Sequence, residues 1–135
     1  MANEIKAQYD VLIVDDNVEI CEILQQYCKN LNCFKNILIA NDGGSATAKL
    51  KNQKFGLILL DLDLPKRSGI EILSEFYHGS HNDKESVVII SGTLDQTKLA
   101  KLVNIGVKNI LAKPFDEEKF RQKISKALSH IGINI

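Results

Sequence analysis

The chain has 135 residues, 44% apolar and 25% charged, which is the balance of one soluble globular domain with a single core. Basic and acidic residues number 17 each, so the net charge is zero and bulk electrostatics argue against a nucleic-acid or membrane-surface binder. Cys21, Cys28 and Cys33 lack CxxC spacing, which argues against a disulfide framework or a zinc site.

MANEIKAQYD at the N-terminus lacks the apolar core of a signal peptide, and no apolar run has the length of a membrane span. A cytoplasmic protein is expected. The first apolar run is VLIV (11–14), followed by a helical stretch over 18–32 with Cys21, Leu24, Cys28 and Leu31 on one stripe. That stripe makes Cys21 and Cys28 buried free thiols. ILIA (37–40) comes next, then a weaker helical segment over 44–53 whose apolar content is Ala46, Ala48 and Leu50. LILL (57–60) precedes a helix over 69–78 with Ile70, Leu73 and Tyr77 inward, opened by Ser68-x-x-Glu71 as a capping box. His78 and His81 flank Gly79 and Ser80 in a polar stretch that reads as a solvated loop, since two histidines without further ligands do not make a metal site.

VVII (87–90) leads into a helix over 94–105, with Thr93-x-x-Gln96 as a second capping box and Leu99, Leu102 and Val103 predicted inward. After ILA (110–112) the last helix covers about 116–130. Asp116, Glu117 and Glu118 suit the positive end of its dipole, and Phe120, Ile124, Ala127, Leu128 and Ile131 are its predicted buried positions. The five strand runs are continuous rather than alternating, as parallel strands covered on both faces require. Strand–helix repeated five times predicts one doubly wound α/β domain over 1–135, with its core at about 9–131.

The polar residues that follow the runs share a pattern. Asp15 and Asp16 end the first, Asp61 the third and Ser91 the fourth, with Gly92 and Thr93 after it; Lys113-Pro114-Phe115 follows the fifth. In an open parallel sheet the carboxyl ends of the strands lie on one edge, where ligands bind. Carboxylates about 4 Å apart repel by about 4 kcal/mol at an effective dielectric of about 20, so such a cluster calls for a cation. Acidic side chains, carbonyls and water suit a hard ion such as Mg²⁺, and the added lysine makes a site that stabilises negative charge, as phosphoryl transfer demands.

In motif order and spacing the chain resembles the receiver domain of two-component response regulators, the CheY-like family. The residues that carry the resemblance are Asp15-Asp16, Asp61 in LLDLDLPKRSG, Ser91 in VVIISG and Lys113-Pro114-Phe115. The resemblance implies a flavodoxin-like (βα)5 fold of strand order 2-1-3-4-5. It implies a signalling switch rather than an enzyme, with Asp61 accepting a phosphoryl group from a sensor histidine kinase or histidine phosphotransfer protein. Asp16 and Asp61 would bind Mg²⁺ directly with the backbone carbonyl of Asp63, and Asp15 through water. Lys113 would pair with the phosphoryl group, Ser91 and Gly92 would bind it, and a cis bond before Pro114 would aim Lys113 inward. Slow autodephosphorylation and an unknown protein target follow from the same resemblance, with no direct nucleic-acid contact.

Two positions are particular to this chain. An acidic Asp63, paired with Thr93, borders the phosphoryl position; it either repels anionic donors, orients the hydrolytic water, or simply faces solvent. Ile110 stands where receivers usually carry an aromatic ring, so the surface change there is expected to be smaller. Two other readings share the motifs: a receiver fold used only as an interaction module, and a haloacid-dehalogenase-like phosphatase with Asp61 as nucleophile and Asp63 as general acid. The second needs an acidic pair downstream of the nucleophile, whereas this pair lies upstream. With no output domain after residue 131, the chain reads as a stand-alone receiver or a piece of a longer protein.

Overall fold

The five β-branched and leucine-rich runs form strands β1 (Val11–Val14), β2 (Ile37–Ala40), β3 (Leu57–Asp61), β4 (Val87–Ser91) and β5 (Asn109–Ala112) of one parallel sheet in the order β2-β1-β3-β4-β5. The computed structural model describes residues 8–64, 69–79 and 82–135, with the side chains of 76–79 outside that description. The expectations for Ser68, Tyr77, His78 and His81 therefore lie outside the described residues. Helices α1 (Val18–Leu31), α2 (Gly43–Asn52), α3 (Gly69–Gly79), α4 (Gln96–Ile105) and α5 (Glu117–Ser129) alternate with the strands, and a 3-10 turn over Lys84–Ser86 leads into β4. Among the described residues, no helix is long and apolar enough to cross a membrane.

Side chains along a strand point alternately to opposite faces, and here the alternation divides the core. Val11, Ile13, Leu57, Leu59, Val88 and Ile90 pack with the buried faces of α1 and α5. Leu12, Val14, Ile58, Leu60, Val87 and Ile89 pack with Ala46 and Leu50 of α2, Ile72 and Leu73 of α3, and Leu102 of α4. Two layers result, and strands β1, β3 and β4 are buried throughout, which explains their unbroken hydrophobicity.

Short polar side chains start α1, α2, α4 and α5. Asn17 caps α1 by accepting from the N–H of Glu19 and Ile20, while Asp42, Asp95 and Asp116 cap α2, α4 and α5. The capping box expected at Thr93 is displaced by Asp95, because the Thr93 hydroxyl donates instead to the Asp63 carboxylate at 3.0 Å. The face of α4 also differs from expectation. Leu102 is fully buried, but Leu99 is 44% and Val103 62% exposed. The inward stripe runs through Lys98, Leu102 and Ile105, with Leu94 ahead of the helix packing on the same core. On α5, Phe120, Ile124, Ala127 and Leu128 are buried as expected, whereas Ile131 lies past the helix end and is only half-buried.

Cys21 and Cys28 are buried free thiols. Burial, with the charges of Asp15 and Asp16 adding to it, pushes Cys21 up to about 11, and burial pushes Cys28 up to about 12. Neither forms an appreciable thiolate near neutral pH.

Candidate functional site

Parallel pairing in register brings the strand ends level: Val14 lies opposite Ala40 and Leu60, Asp61 opposite Ile90, and Ser91 opposite Ala112. The polar residues just past or at these ends therefore meet at one edge. Asp15, Asp61 and Lys113 continue the odd-numbered sides of β1, β3 and β5 that face α1 and α5, as Ile13, Leu59 and Leu111 do. Ser91 continues the other side of β4, after Val87 and Ile89.

The carboxylates of Asp15, Asp16 and Asp61 each offer an oxygen within 4.8 Å of the others. Asp15 and Asp61 are buried, whereas Asp16 is exposed and leaves the cluster open to solvent. Lys113 Nζ lies 3.3 Å from Asp15 Oδ2 and 3.5 Å from Asp61 Oδ1. The Asn17 N–H donates to Asp15 Oδ1 at 2.9 Å, so the loop that opens α1 also aims this carboxylate. Cys21 Sγ and Asn41 Nδ2 both donate to the Asp15 carbonyl, at 3.3 and 3.0 Å, fixing the backbone at the end of β1. The Asp63 N–H donates to Asp61 Oδ1 at 3.0 Å. Gly69 closes the floor: a Cβ there would come within 2.8 Å of the Asp61 carbonyl oxygen and of Leu62 Cα, so only glycine lets α3 approach so closely.

Electrostatics follow the packing. Burial pushes the Asp61 carboxyl above the ordinary range, and the Asp15 charge adds to that; the Asp63 N–H and Lys113 act against it. Burial opposes the charge on Lys113, but Asp61 and Asp15 more than offset this and raise its pKa. Among the described residues, Asp15, Asp16, Asp61 and Asp63 set four acids against the two ammonium groups of Lys113 and Lys98. The donor set is all oxygen and partly open, which suits a small hard cation that keeps some of its water.

Asp63 is not a bare solvent-facing acid. Its Oδ2 accepts from the Ser91 hydroxyl at 3.0 Å, and its Oδ1 accepts from the Thr93 hydroxyl at 3.0 Å and from Lys98 Nζ at 3.3 Å. Burial alone would raise its pKa, but the Ser91, Thr93 and Lys98 donors lower it on balance. Gly92 is exposed beside Lys113, and the peptide bond between Lys113 and Pro114 is cis. Ile110 is half-buried on β5, opposite Ile89, and packs against the core on the α2–α4 side rather than lining the acidic edge. Asn17, Asn41 and Lys98 were absent from the sequence-based site. Asn17 and Asn41 could have been found, since each follows a strand at the carboxyl edge; Lys98 lies inside the first turn of α4, beyond any strand end, and carries no such signal.

A doubly wound parallel sheet whose carboxyl edge holds an acidic cleft closed by a lysine defines a class of ligand-responsive α/β domains. The model of the response regulator receiver domain matches residues 11–125, and the chain belongs to that family, the receivers of two-component signalling. It is 32% identical over 114 residues to the protein described as "Probable chemotaxis protein CheY" of Rhizobium etli, covering 84% of this chain and 88% of that one. It is 30% identical to the transcriptional regulatory protein ZraR of Klebsiella oxytoca, over 94% of this chain but 28% of the relative. Among solved structures, the CheX–CheY–BeF3–Mg complex from Borrelia burgdorferi matches with a TM-score of 0.72 at 30% identity, covering 86% of each chain. The chain spans between 26% and 52% of the length of longer regulators such as ZraR, MalR and DpiA.

Proposed function

We propose that Asp61 is the phosphoacceptor of a two-component relay, charged by a phosphohistidine on a sensor kinase or phosphotransfer protein. The observation that carries this reading is one buried carboxylate at a strand end, with Asp15 and Asp16 within 4.8 Å and Lys113 Nζ at 3.5 Å. An Asp61 oxygen attacks phosphorus; the P–N bond breaks, and its electron pair leaves on the imidazole, which then carries a proton. The acylphosphate then carries roughly two negative charges where the carboxylate carried one. Lys113 stands where it can pair with them, and the Ser91 hydroxyl and Gly92 amide flank the same edge.

Asp16 and Asp61, with the Asp63 carbonyl, are the residues to hold Mg²⁺. Asp15 Oδ1 already accepts from the Asn17 N–H and its Oδ2 from Lys113 Nζ, which suits a role through water. Bound there, the ion would neutralise charge on the transferring group. The whole of 1–135 acts as one receiver in the cytoplasm, dephosphorylates itself slowly, and presents its phosphorylated surface to a protein target.

Incubating the protein with acetyl phosphate and Mg²⁺ and reading intact mass tests this. One acid-labile phosphoryl adduct is expected, absent from Asp61→Asn and from wild type in chelator. No adduct on the wild type would leave only an interaction module; an adduct that survives in Asp61→Asn would place the chemistry elsewhere.

A further inference from the structure

The inward stripe of α4 carries an ammonium group. Lys98, Leu102 and Ile105 stand at i, i+4 and i+7, and Leu102 is fully buried while Ile105 packs on the same core. Lys98 therefore leaves the helix toward the sheet edge, where its Nζ donates to Asp63 Oδ1 at 3.3 Å and to Thr93 Oγ1 at 3.0 Å. Asp63 in turn holds the Ser91 hydroxyl at 3.0 Å, and the Thr93 N–H donates to Ser91 Oγ at 3.2 Å. These four side chains form one closed set joining the end of β4, the segment after β3 and the first turn of α4.

A serine hydroxyl has a single proton to donate. In this arrangement Ser91 gives it to Asp63, so it is not free for an oxygen on phosphorus. We infer that Asp63 is a positioning residue that competes with the phosphoryl group for the Ser91 hydroxyl, and that Lys98 ties the outcome of that competition to the first turn of α4. The inference rests on the reading of Asp61 as the phosphorylated group. When Ser91 turns to phosphorus, Asp63 loses one of three donors and meets a dianion at close range, and the group that must readjust with it is Lys98. The route serves a receiver whose β5 carries Ile110 instead of a ring. Site occupancy reaches α4 through polar side chains.

The test uses beryllofluoride with Mg²⁺ as phosphoryl mimic, read by amide chemical shifts in the full chain. Wild type is expected to bind and Asp61→Asn not to bind; failure of the wild type overturns the reading of Asp61 and the competition with it. Asp63→Asn is expected to bind the mimic about fivefold more tightly, the worth of one hydrogen bond released. That gain disappears in a Ser91→Ala background. A gain that persists in full there shows Asp63 acting by charge alone and overturns the competition. In Lys98→Met, ligand-induced shifts at Asp95–Leu99 shrink relative to those at Leu62 and Gly92; undiminished shifts overturn the tether. A ligand-free readout stands beside these: amide exchange across Thr93–Lys98 speeds in both Asp63→Asn and Lys98→Met, and unchanged exchange overturns the tether whatever Asp61 does.

Discussion

Asp61 ends β3 almost fully buried, with Asp15 beside it, and the Lys113 ammonium does not cancel both effects, so its carboxyl titrates above the ordinary aspartate range. A group whose folded pKa exceeds its unfolded value binds its proton more tightly in the folded state. Its ionised form therefore costs stability above the folded pKa, and that loss is recovered as pH falls toward the unfolded value of about 3.9. Asp63 behaves oppositely, since its pKa is lowered: its contribution is present above the unfolded value and lost as pH falls through the folded one. In metal-free buffer Asp61→Asn is thus expected to be more stable than wild type at neutral pH, with an advantage that narrows at acid pH. Urea unfolding of both proteins at the two pH values checks this. A variant less stable than wild type at neutral pH would show that the ion pair with Lys113 outweighs burial.

Helix α4 shows how one element can be found but misoriented. Leu102→Ala is expected to cost about 2–5 kcal/mol, as truncation of a fully buried leucine does. Val103→Ala, on a residue 62% exposed, should change stability by less than about 0.5 kcal/mol. Urea denaturation separates the two, and equal losses would refute the observed orientation of the helix. The strands were legible because covered parallel strands need continuous apolar runs, and the residues that end them announce the edge. The orientation of α4 was not, because Leu99, Leu102 and Val103 permit two neighbouring stripes. The choice is made by Leu94 and Ile105 packing on the core and by a lysine whose partner, Asp63, lies 35 residues away in sequence. Thr93 failed as a cap for the same reason: its hydroxyl is used across the site. On β5, Ile110→Tyr would add a ring at a half-buried position. Larger mimic-induced shifts across α4, β5 and α5 are expected in that variant than in wild type, and indistinguishable shifts would show that the isoleucine already transmits as an aromatic does.

Among the described residues of the whole molecule, four acids face two lysines at one edge of the sheet. A ligand that binds only the folded chain stabilises it by mass action, about 2.7 kcal/mol at a hundredfold excess over its dissociation constant. Millimolar Mg²⁺ is therefore expected to raise the thermal midpoint by several degrees, and Asp16→Asn to abolish the rise; a rise that persists in the variant would put the ion elsewhere. The same edge depends on parity. Asp15, Asp61 and Lys113 share a side because each sits an even number of residues from a side chain that packs toward α1 and α5. Removing one residue from β3 ahead of Asp61 would swing that acid across the sheet and leave a leucine in its place. Exchanges of one letter for another can tune this centre by degrees, but counting errors within a strand delete it outright, so length changes in descendants of this chain belong in the connections and never in the sheet.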